Sequence, residues 1–297
     1  MAIQKIFVVG AGFMGTGIAE NAATSGIQVV TYDVVDPALE RSQRIIQKNF
    51  DRKVAKGRMT QEDADIARGR ISWTKDINEC ADADIIIEAV SENKDLKGKI
   101  IKEIEEIASE NAVIASNTSS ISISYLAGLL KDPSRMIGMH FFSPVPAIPL
   151  MEIVRGLQTG VRAKKLAVEL AETMGKNYIQ SRDEPGFLIN RMLLPMLNEA
   201  CILVERHIGT IDEIDRGMII GLNHPMGPLE LMDMIGIDIE LAVMNVLHEE
   251  IGDSKYRPAQ LIRRMVDAGY LGRKTGIGFY IYDEDGRKIQ PNTFILK

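Results

Sequence analysis

The chain has 297 residues, enough for two domains, and its 45% hydrophobic and 26% charged residues are ordinary for a globular protein. The net charge of −6 argues against a duplex nucleic-acid binder, which needs a basic face to neutralise phosphates. No apolar run approaches the roughly 20 residues that span a bilayer, so no membrane partner is expected. Cys80 and Cys201 lack metal-binding spacing, and no targeting segment is apparent at the N-terminus. We therefore expect a cytoplasmic protein in a reducing compartment.

The first predicted elements form a βαβ unit. A short run rich in β-formers, Lys5–Val9, predicts a buried parallel strand, and a Gly-rich turn follows it. A helix is predicted from about Gly15 to Ser25, and a second strand over Ile27–Tyr32, which Asp33 follows. This order gives a complete βαβ unit within about 30 residues.

The next segment predicts an alternating α/β order. From Pro37 to about Arg68 the charged, helical pattern is too long for a plain crossover and predicts a helical excursion from the sheet. Beyond it the patterns predict a helix at Lys94–Ser109 and strands at Asp84–Val90, Ala112–Ser116, Met136–His140 and Leu150–Ile153. The alternation predicts a Rossmann-type doubly wound sheet.

The character of the chain changes after Asp183. Residues Asp183–Gly186 predict a helix start, with acidic residues and Pro in the first turn. Long apolar-periodic stretches follow, and strand signals nearly vanish apart from Gly278–Tyr282. We predict a Rossmann domain with its helical excursion over residues 1–183, and an all-α C-terminal domain over residues 184–297.

A Gly-rich turn carries the strongest local motif. Residues 10–15 read GAGFMG, a GxGxxG pattern between a predicted strand and helix. Gly10 permits the tight turn, Gly12 lets the backbone approach a pyrophosphate, and Gly15 allows close helix–strand packing. Asp33 lies 18 residues after Gly15, where a carboxylate accepts a ribose 2′-OH and repels a 2′-phosphate. NAD rather than NADP is the predicted cofactor, and the alternative is a plain Gly-rich turn.

One histidine is placed for proton transfer. His140 ends a predicted strand of the nucleotide domain, where the carboxyl ends of strands line a ligand crevice, and an imidazole suits acid–base work near neutrality. Glu152 follows a Pro-rich segment that turns the chain, so its carboxylate could return against the imidazole and fix its tautomer. The alternatives are a satisfied core histidine and a solvated carboxylate. Because the histidines form no ligand pattern, no metal is predicted.

A polar loop, Asn117–Ser120, follows the predicted strand Ala112–Ser116. It is a second crevice candidate, because it too lies at the carboxyl end of a strand. A simple turn or helix cap remains the alternative.

Together these features resemble the 3-hydroxyacyl-CoA dehydrogenase family, particularly its short, monofunctional 3-hydroxybutyryl-CoA dehydrogenase members. The resemblance covers essentially the whole chain. It is carried, in the order of the family, by VVGAGFMGTGIA, IIIEAVSEN, ASNTSSISI, GMHFFSPVP, EPGFLINRMLLPMLNEA, NHPMGPLELMDMIG and GRKTGIGFY.

The resemblance implies a role for particular residues. The catalytic positions of the family fall on His140, Glu152, Ser119 and Asn190. Its NAD contacts fall on Gly10, Gly12, Phe13, Met14, Gly15, Asp33, Glu92, Lys97, Ser119, Ser143 and Lys274. Many members have Asn where this chain has Ser143. Its CoA contacts fall on Ser119 and on Lys53 and Lys56, although lysines on a helix surface are more often only solvated.

The implied reaction is the interconversion of a short (S)-3-hydroxyacyl-CoA and its 3-ketoacyl-CoA, such as 3-hydroxybutyryl-CoA and acetoacetyl-CoA, with NAD(H). Fatty acid metabolism is one setting for it. The apolar stripes of the helical domain exceed what a small bundle buries, so we expect a homodimer through that domain. Two alternatives are a related dehydrogenase of a free hydroxy or sugar acid, and a non-catalytic NAD-binding protein.

Overall fold

The computed structural model describes residues 3–296. The chain divides between Glu184 and Pro185 into two compact units, one residue beyond the boundary expected from the sequence. Within the described residues, no helix is both long and apolar enough to cross a membrane.

The first unit is built on one eight-stranded sheet in the order β3-β2-β1-β4-β5-β6-β7-β8. Its strands are β1 (Lys5–Val9), β2 (Gln28–Tyr32), β3 (Ile71–Thr74), β4 (Ile85–Glu88), β5 (Val113–Ser116), β6 (Met136–Phe141), β7 (Leu150–Arg155) and β8 (Asn177–Arg182). Strands β1 to β6 pair in parallel, β7 runs antiparallel to β6, and β8 is parallel to β7. The order of the first six strands is that of a doubly wound nucleotide-binding sheet, so the predicted Rossmann-type fold is confirmed.

Helices connect these strands. They are α1 (Phe13–Thr24), α2 (Asp36–Ala55), α3 (Gln61–Gly69), α4 (Lys94–Ile107), α5 (Ile123–Ala127) and α6 (Val161–Thr173). The predicted excursion is therefore two helices, and Thr60 caps the second of them by accepting a hydrogen bond from the Asp63 N–H. The central strands are buried on both faces, as the continuous apolar runs of β1 and β4 require.

Two strands of the sheet lie outside the sequence prediction. Strand β3 is only four residues long, and β8 is an edge strand of mixed polar and apolar residues, none of which is fully buried. Such strands lack the continuous apolar run by which buried strands are recognised.

The second unit is mainly helical. Its elements are α7 (Ile189–Glu205), α8 (Ile211–Arg216), a π-helical turn (Gly217–Gly221), α9 (Pro228–Ile235), α10 (Ile237–Ile251), α11 (Gln260–Asp267) and the hairpin strands β9 (Tyr280–Tyr282) and β10 (Lys288–Pro291). A separate core of residues from these helices and β9 holds it together. The predicted helical C-terminal domain is confirmed, with one short hairpin in addition. Strand β9 falls within the strand signal Gly278–Tyr282, and β10 carries no signal that the sequence analysis recognised.

The helix expected to start within Asp183–Gly186 starts later, at Ile189. Gly186 and Phe187 have φ angles of +75° and +49°, and two successive left-handed residues cannot belong to a right-handed helix. Asp183 instead accepts hydrogen bonds from the N–H groups of Ile123 and Ser124 at the start of α5.

Candidate active site

The Gly-rich turn between β1 and α1 has the geometry of a phosphate cradle. Gly10 has a φ angle of +106°, and a Cβ there would lie 2.8 Å from the Ala89 carbonyl oxygen. A Cβ on Gly15 would lie 1.8 Å from the Gly10 carbonyl oxygen, so helix and turn approach as closely as glycine permits. A Cβ on Gly12 would meet nothing within 4 Å. Open space therefore lies in front of the Gly12 backbone, at the N-terminus of α1, where N–H groups and the helix dipole favour a phosphate.

Asp33 faces this turn from the end of β2. Its Oδ2 accepts a hydrogen bond from the Ala11 N–H at 2.8 Å, and its Oδ1 accepts one from the Val35 N–H at 3.0 Å. The carboxylate therefore has a fixed orientation at the turn. Phe13 is largely exposed beside the turn, whereas Met14 packs against the core of the sheet.

A cavity of about 470 Å³ opens beside Asp33. Its walls come from the turn, from the end of β2, from the segment that follows β4 and from α4, and include Gly12, Asp33, Val35, Val90, Leu96 and Ile100. The walls are mostly apolar and include the carboxylates of Asp33 and Glu103. Such walls suit an adenosine, whose base is flat and whose ribose carries hydroxyl groups. These residues fit the predicted NAD.

His140 and Glu152 form a buried pair on β6 and β7, further along the sheet from the Gly-rich turn. His140 Nδ1 lies 3.1 Å from Glu152 Oε2, and the pairing of β6 with β7 places the two residues directly opposite each other. Glu152 is fully buried, and His140 is 7% exposed. The ring of Phe142 packs against the imidazole at 4.5 Å between ring centroids. A carboxylate held against one ring nitrogen orients the imidazole for proton exchange at the other nitrogen.

The loop Asn117–Ser120 lies between this pair and the nucleotide turn in the order of strands. Asn117 Oδ1 accepts a hydrogen bond from the Phe141 N–H at 2.9 Å, immediately after His140, where β6 extends beyond β5. The N–H groups of Ser119 and Ser120 each donate to Glu92 Oε1 at 3.0 Å. No described residue hydrogen-bonds to the Ser119 hydroxyl. The loop is therefore fixed by its backbone and leaves that hydroxyl available for a ligand.

Two residues that the sequence analysis assigned to the cofactor have partners within the first unit. Lys97 is 1% exposed and donates to Glu88 Oε1 at 2.7 Å. Its Nζ also lies 3.4 Å from Glu92 Oε2. Burial would raise the pKa of Glu92, but Lys97 and the hydrogen bonds from the loop Asn117–Ser120 lower this pKa overall. Glu92 is therefore an ionised carboxylate at neutral pH.

The sequence analysis missed the lysine that holds the Pro-rich loop between β6 and β7. Lys176 is 7% exposed, and its ammonium donates to the carbonyl oxygens of Val145 and Ile148, the latter at 2.8 Å. Burial lowers the pKa of Lys176. Ser143 is exposed on the same loop, where its peptide bond to Pro144 is cis.

The two lysines proposed to contact CoA differ in their surroundings. Lys53 Nζ lies 2.8 Å from the carboxylate of the buried Glu20, to which Asn49 also donates at 2.7 Å. Lys56 follows α2 as its exposed C-cap residue. A phosphate would therefore have to compete with Glu20 for Lys53, but Lys56 forms no ion pair with any described residue.

Two candidate residues belong to the second unit. Asn190 is half-buried in the first turn of α7. Lys274 lies in the turn before β9, and its Nζ is 2.5 Å from Asp238 Oδ1.

Comparison with known proteins agrees with this geometry. Residues 5–184 match the NAD binding domain of 3-hydroxyacyl-CoA dehydrogenase, and residues 186–282 match the C-terminal domain of the same family. The chain belongs to the 3-hydroxyacyl-CoA dehydrogenase family. Membership identifies it as an oxidoreductase that uses NAD.

Several relatives of this dehydrogenase chain match over nearly their whole length. A probable 3-hydroxybutyryl-CoA dehydrogenase of Bacillus subtilis is 45% identical over 96% of this chain and 99% of the relative. The 3-hydroxybutyryl-CoA dehydrogenase of Bradyrhizobium diazoefficiens is 44% identical over 94% and 96%. The crystal structure of (S)-3-hydroxybutyryl-CoA dehydrogenase PaaH1 from Ralstonia eutropha has a TM-score of 0.92 and 47% identity, over 95% of this chain and all of that chain.

Proposed function

We propose that this chain interconverts short (S)-3-hydroxyacyl-CoA and 3-ketoacyl-CoA, with 3-hydroxybutyryl-CoA and acetoacetyl-CoA as its preferred pair. The observation that carries the proposal is the buried contact of 3.1 Å between His140 Nδ1 and Glu152 Oε2 within the NAD-binding unit. An alcohol dehydrogenase needs a group that takes the hydroxyl proton, and this pair has the required form.

In the oxidation, the 3-hydroxyl group gives its proton to His140 Nε2. Glu152 keeps Nδ1 protonated and stabilises the imidazolium that forms, because its full burial strengthens the attraction between the opposite charges. When bound, NAD supplies the acceptor for the hydride from C3. In the reduction, the imidazolium returns the proton to the 3-keto oxygen.

One further side chain contacts the reacting oxygen in this proposal. The Ser119 hydroxyl donates a hydrogen bond to it, which the backbone-anchored loop makes possible. The role of Asn190, in the second unit, stays a prediction from the resemblance to the family. Both roles are favoured by the match of their surrounding sequence to the family, and their removal is expected to lower kcat.

The cofactor contacts follow from the first unit. Gly10, Gly12, Phe13, Met14 and Gly15 surround the pyrophosphate. Asp33 accepts the ribose 2′-hydroxyl, and Glu92, Ser119 and Ser143 lie along the nicotinamide half. Lys274, in the second unit, stays a predicted NAD contact that rests on the resemblance to the family. Because Lys97 already donates to Glu88 and Val90 and pairs with Glu92, we assign it an indirect role.

Rates of NADH oxidation with different acceptors test the proposal. Acetoacetyl-CoA is expected to react at least about 100-fold more efficiently, as kcat/KM, than free acetoacetate or an oxidised sugar acid, because CoA adds binding energy remote from the reacting carbon. Longer 3-ketoacyl-CoAs give the chain-length preference. Equal efficiency with a free acid would favour a related hydroxyacid dehydrogenase, and no turnover with any acceptor would favour a non-catalytic NAD-binding protein.

A homodimer through the second unit is part of the proposal. Its support is a set of large apolar side chains that the second unit leaves 64–74% exposed: Met192, Ile208, Ile220 and Leu222. Light scattering is expected to give twice the chain mass, and Ile220→Glu to reduce it toward one. Leu157→Glu, at a 93% exposed site of the first unit, is the control. Cytoplasmic location and a place in fatty acid metabolism stay predictions.

A further inference from the structure

A buried lysine lies next to the loop Asn117–Ser120. Lys97, in the first turn of α4, is 1% exposed. Its Nζ lies 2.7 Å from Glu88 Oε1, 3.2 Å from the Val90 carbonyl oxygen and 3.4 Å from Glu92 Oε2. Two of the three donors of the ammonium therefore form hydrogen bonds within the first unit, and the ammonium also forms an ion pair with Glu92. A buried charge persists only when it is paired in this way.

Glu88 anchors this lysine, although neither the proton-transfer pair nor the phosphate turn includes it. It is the last residue of β4 and is fully buried. Besides Lys97, its Oε1 accepts the Val90 N–H at 2.8 Å, and its Oε2 accepts the Ser116 hydroxyl at 2.6 Å. Both carboxylate oxygens are therefore engaged, and the side chain has one possible orientation.

Glu92 links the lysine to the loop. Its Oε2 faces Lys97, while its Oε1 accepts hydrogen bonds from the Thr118 hydroxyl at 2.5 Å, the N–H groups of Ser119 and Ser120 at 3.0 Å, and the Ser120 hydroxyl at 2.8 Å. One carboxylate oxygen thus holds three successive residues. Any displacement of Glu92 moves the backbone that carries the Ser119 hydroxyl.

We infer that Glu88 is a positioning residue that sets the place of Ser119 through the buried Lys97 ammonium. The inference rests on the proposed function, in which the Ser119 hydroxyl contacts the reacting oxygen. The carboxylate of Glu88 neutralises the charge of the Lys97 ammonium. The ammonium therefore does not draw Glu92 away from the loop. Small displacements of a contact to the reacting atoms cost rate, which gives Glu88 an effect on turnover without a contact to substrate.

A double-mutant cycle between Glu88→Gln and Ser119→Ala tests this route. Glutamine keeps the size and one acceptor but removes the charge. We expect kcat for acetoacetyl-CoA reduction to fall about tenfold in Glu88→Gln, while the Kd of NADH changes less than about threefold. In the Ser119→Ala background, the same change is expected to lower kcat by less than about twofold, because the route ends at Ser119. If Glu88 has only a structural role, Glu88→Gln will lower kcat by the same factor in the parent and in Ser119→Ala. That result would overturn the inference.

Asp84→Asn is the matched control. Asp84 precedes the other end of β4 and accepts the N–H groups of Gln4 and Lys5 at 2.7 and 3.1 Å, so its loss perturbs the same strand away from the loop. We expect its kcat to stay within about twofold of the parent. If Glu88→Gln does not fold, Ser116→Ala removes the hydroxyl that donates to Glu88 and accepts the Thr118 N–H, and it is expected to lower kcat about threefold, again only when Ser119 is present.

The same measurements distinguish a failure of the proposed function from a failure of the inference about Glu88. Full kcat in Ser119→Ala alone would contradict the role of Ser119 in the proposed function. Reduced kcat in Ser119→Ala with an additive loss in the double variant would contradict only the role of Glu88.

Discussion

His140 and Glu152 occupy facing positions of an antiparallel strand pair, with Nδ1 of the imidazole 3.1 Å from Oε2 of the carboxylate. Strands β6 and β7 each have six residues, and β7 also pairs in parallel with β8 on its other side. The geometry of the pair therefore depends on backbone register rather than on a mobile loop. Sites built on strands hold their side chains more precisely than sites on loops.

Substitution of either member of the pair is expected to slow the chemical step without weakening the cofactor complex. His140→Gln removes the proton carrier, and kcat for acetoacetyl-CoA reduction should fall at least about 100-fold. Glu152→Gln leaves the imidazole without its charged partner and should also lower kcat about 100-fold. Steady-state rates and fluorescence titration of NADH measure the two effects. His248→Gln, in the second unit, is the control, and near-normal turnover of His140→Gln would remove this residue from the mechanism.

Asp33 is expected to control the choice between NADH and NADPH. Asp33→Asn keeps an acceptor for the Ala11 N–H but removes the charge that binds a ribose hydroxyl and repels a 2′-phosphate. A charge-assisted hydrogen bond contributes about 1.5–3 kcal/mol, so the Kd of NADH should rise roughly tenfold or more while that of NADPH does not. Fluorescence titrations measure both constants. Asp36→Asn, which removes an exposed partner of Lys75, should change neither, and an unchanged ratio in Asp33→Asn would contradict the argument.

The central half of the sheet could be predicted because its strands are buried on both faces. Strand β1 and strand β4 read as continuous apolar runs, and the phosphate turn adds a motif of fixed spacing. Strand β8 could not be predicted in the same way, since its polar and partly exposed residues reflect an edge position that only the assembled sheet defines. The antiparallel return of β7 also depends on contacts distant in sequence, although the prolines before it indicated a turning path.

The missed network around Lys97 had a detectable signal. Lys97 is followed at helical spacing by Ile101 and Ile104, both fully buried, so the lysine lies on the apolar face of α4. A lysine in that position must find acidic partners or neutral surroundings. Its actual partners, Glu88 and Glu92, lie within nine residues before it, but only the fold of β4 against α4 brings them to the ammonium.

Lys56 and Lys53 are expected to separate in their effects on substrate binding and stability. Lys56→Met should raise the KM of acetoacetyl-CoA a few-fold and leave unchanged the KM of the N-acetylcysteamine thioester, which lacks the CoA phosphates. Lys53→Met leaves the buried Glu20 without its ammonium and should lower the free energy of unfolding by about 2 kcal/mol. Substrate kinetics and urea unfolding measure the two effects. A KM for acetoacetyl-CoA that depends on Lys53 alone would reverse the assignment.

Glu240 is expected to make the stability of the second unit depend on pH. It is 4% exposed, its Oε2 has no hydrogen-bond partner among residues 3–296, and burial raises its pKa to about 7 from 4.5. The folded state therefore holds a proton that the unfolded chain releases, and stability falls as pH rises from about 4.5 through 7. Glu240→Gln removes this loss, so its free energy of unfolding should exceed that of the parent by up to about 3 kcal/mol at pH 8, and by little at pH 5. Urea unfolding at pH 5 and pH 8 measures the difference in the free energy of unfolding between Glu240→Gln and the parent. Glu250→Gln, at an exposed position of the same helix, is the control. Parallel pH dependence of Glu240→Gln and the parent would show that Glu240 does not carry the effect.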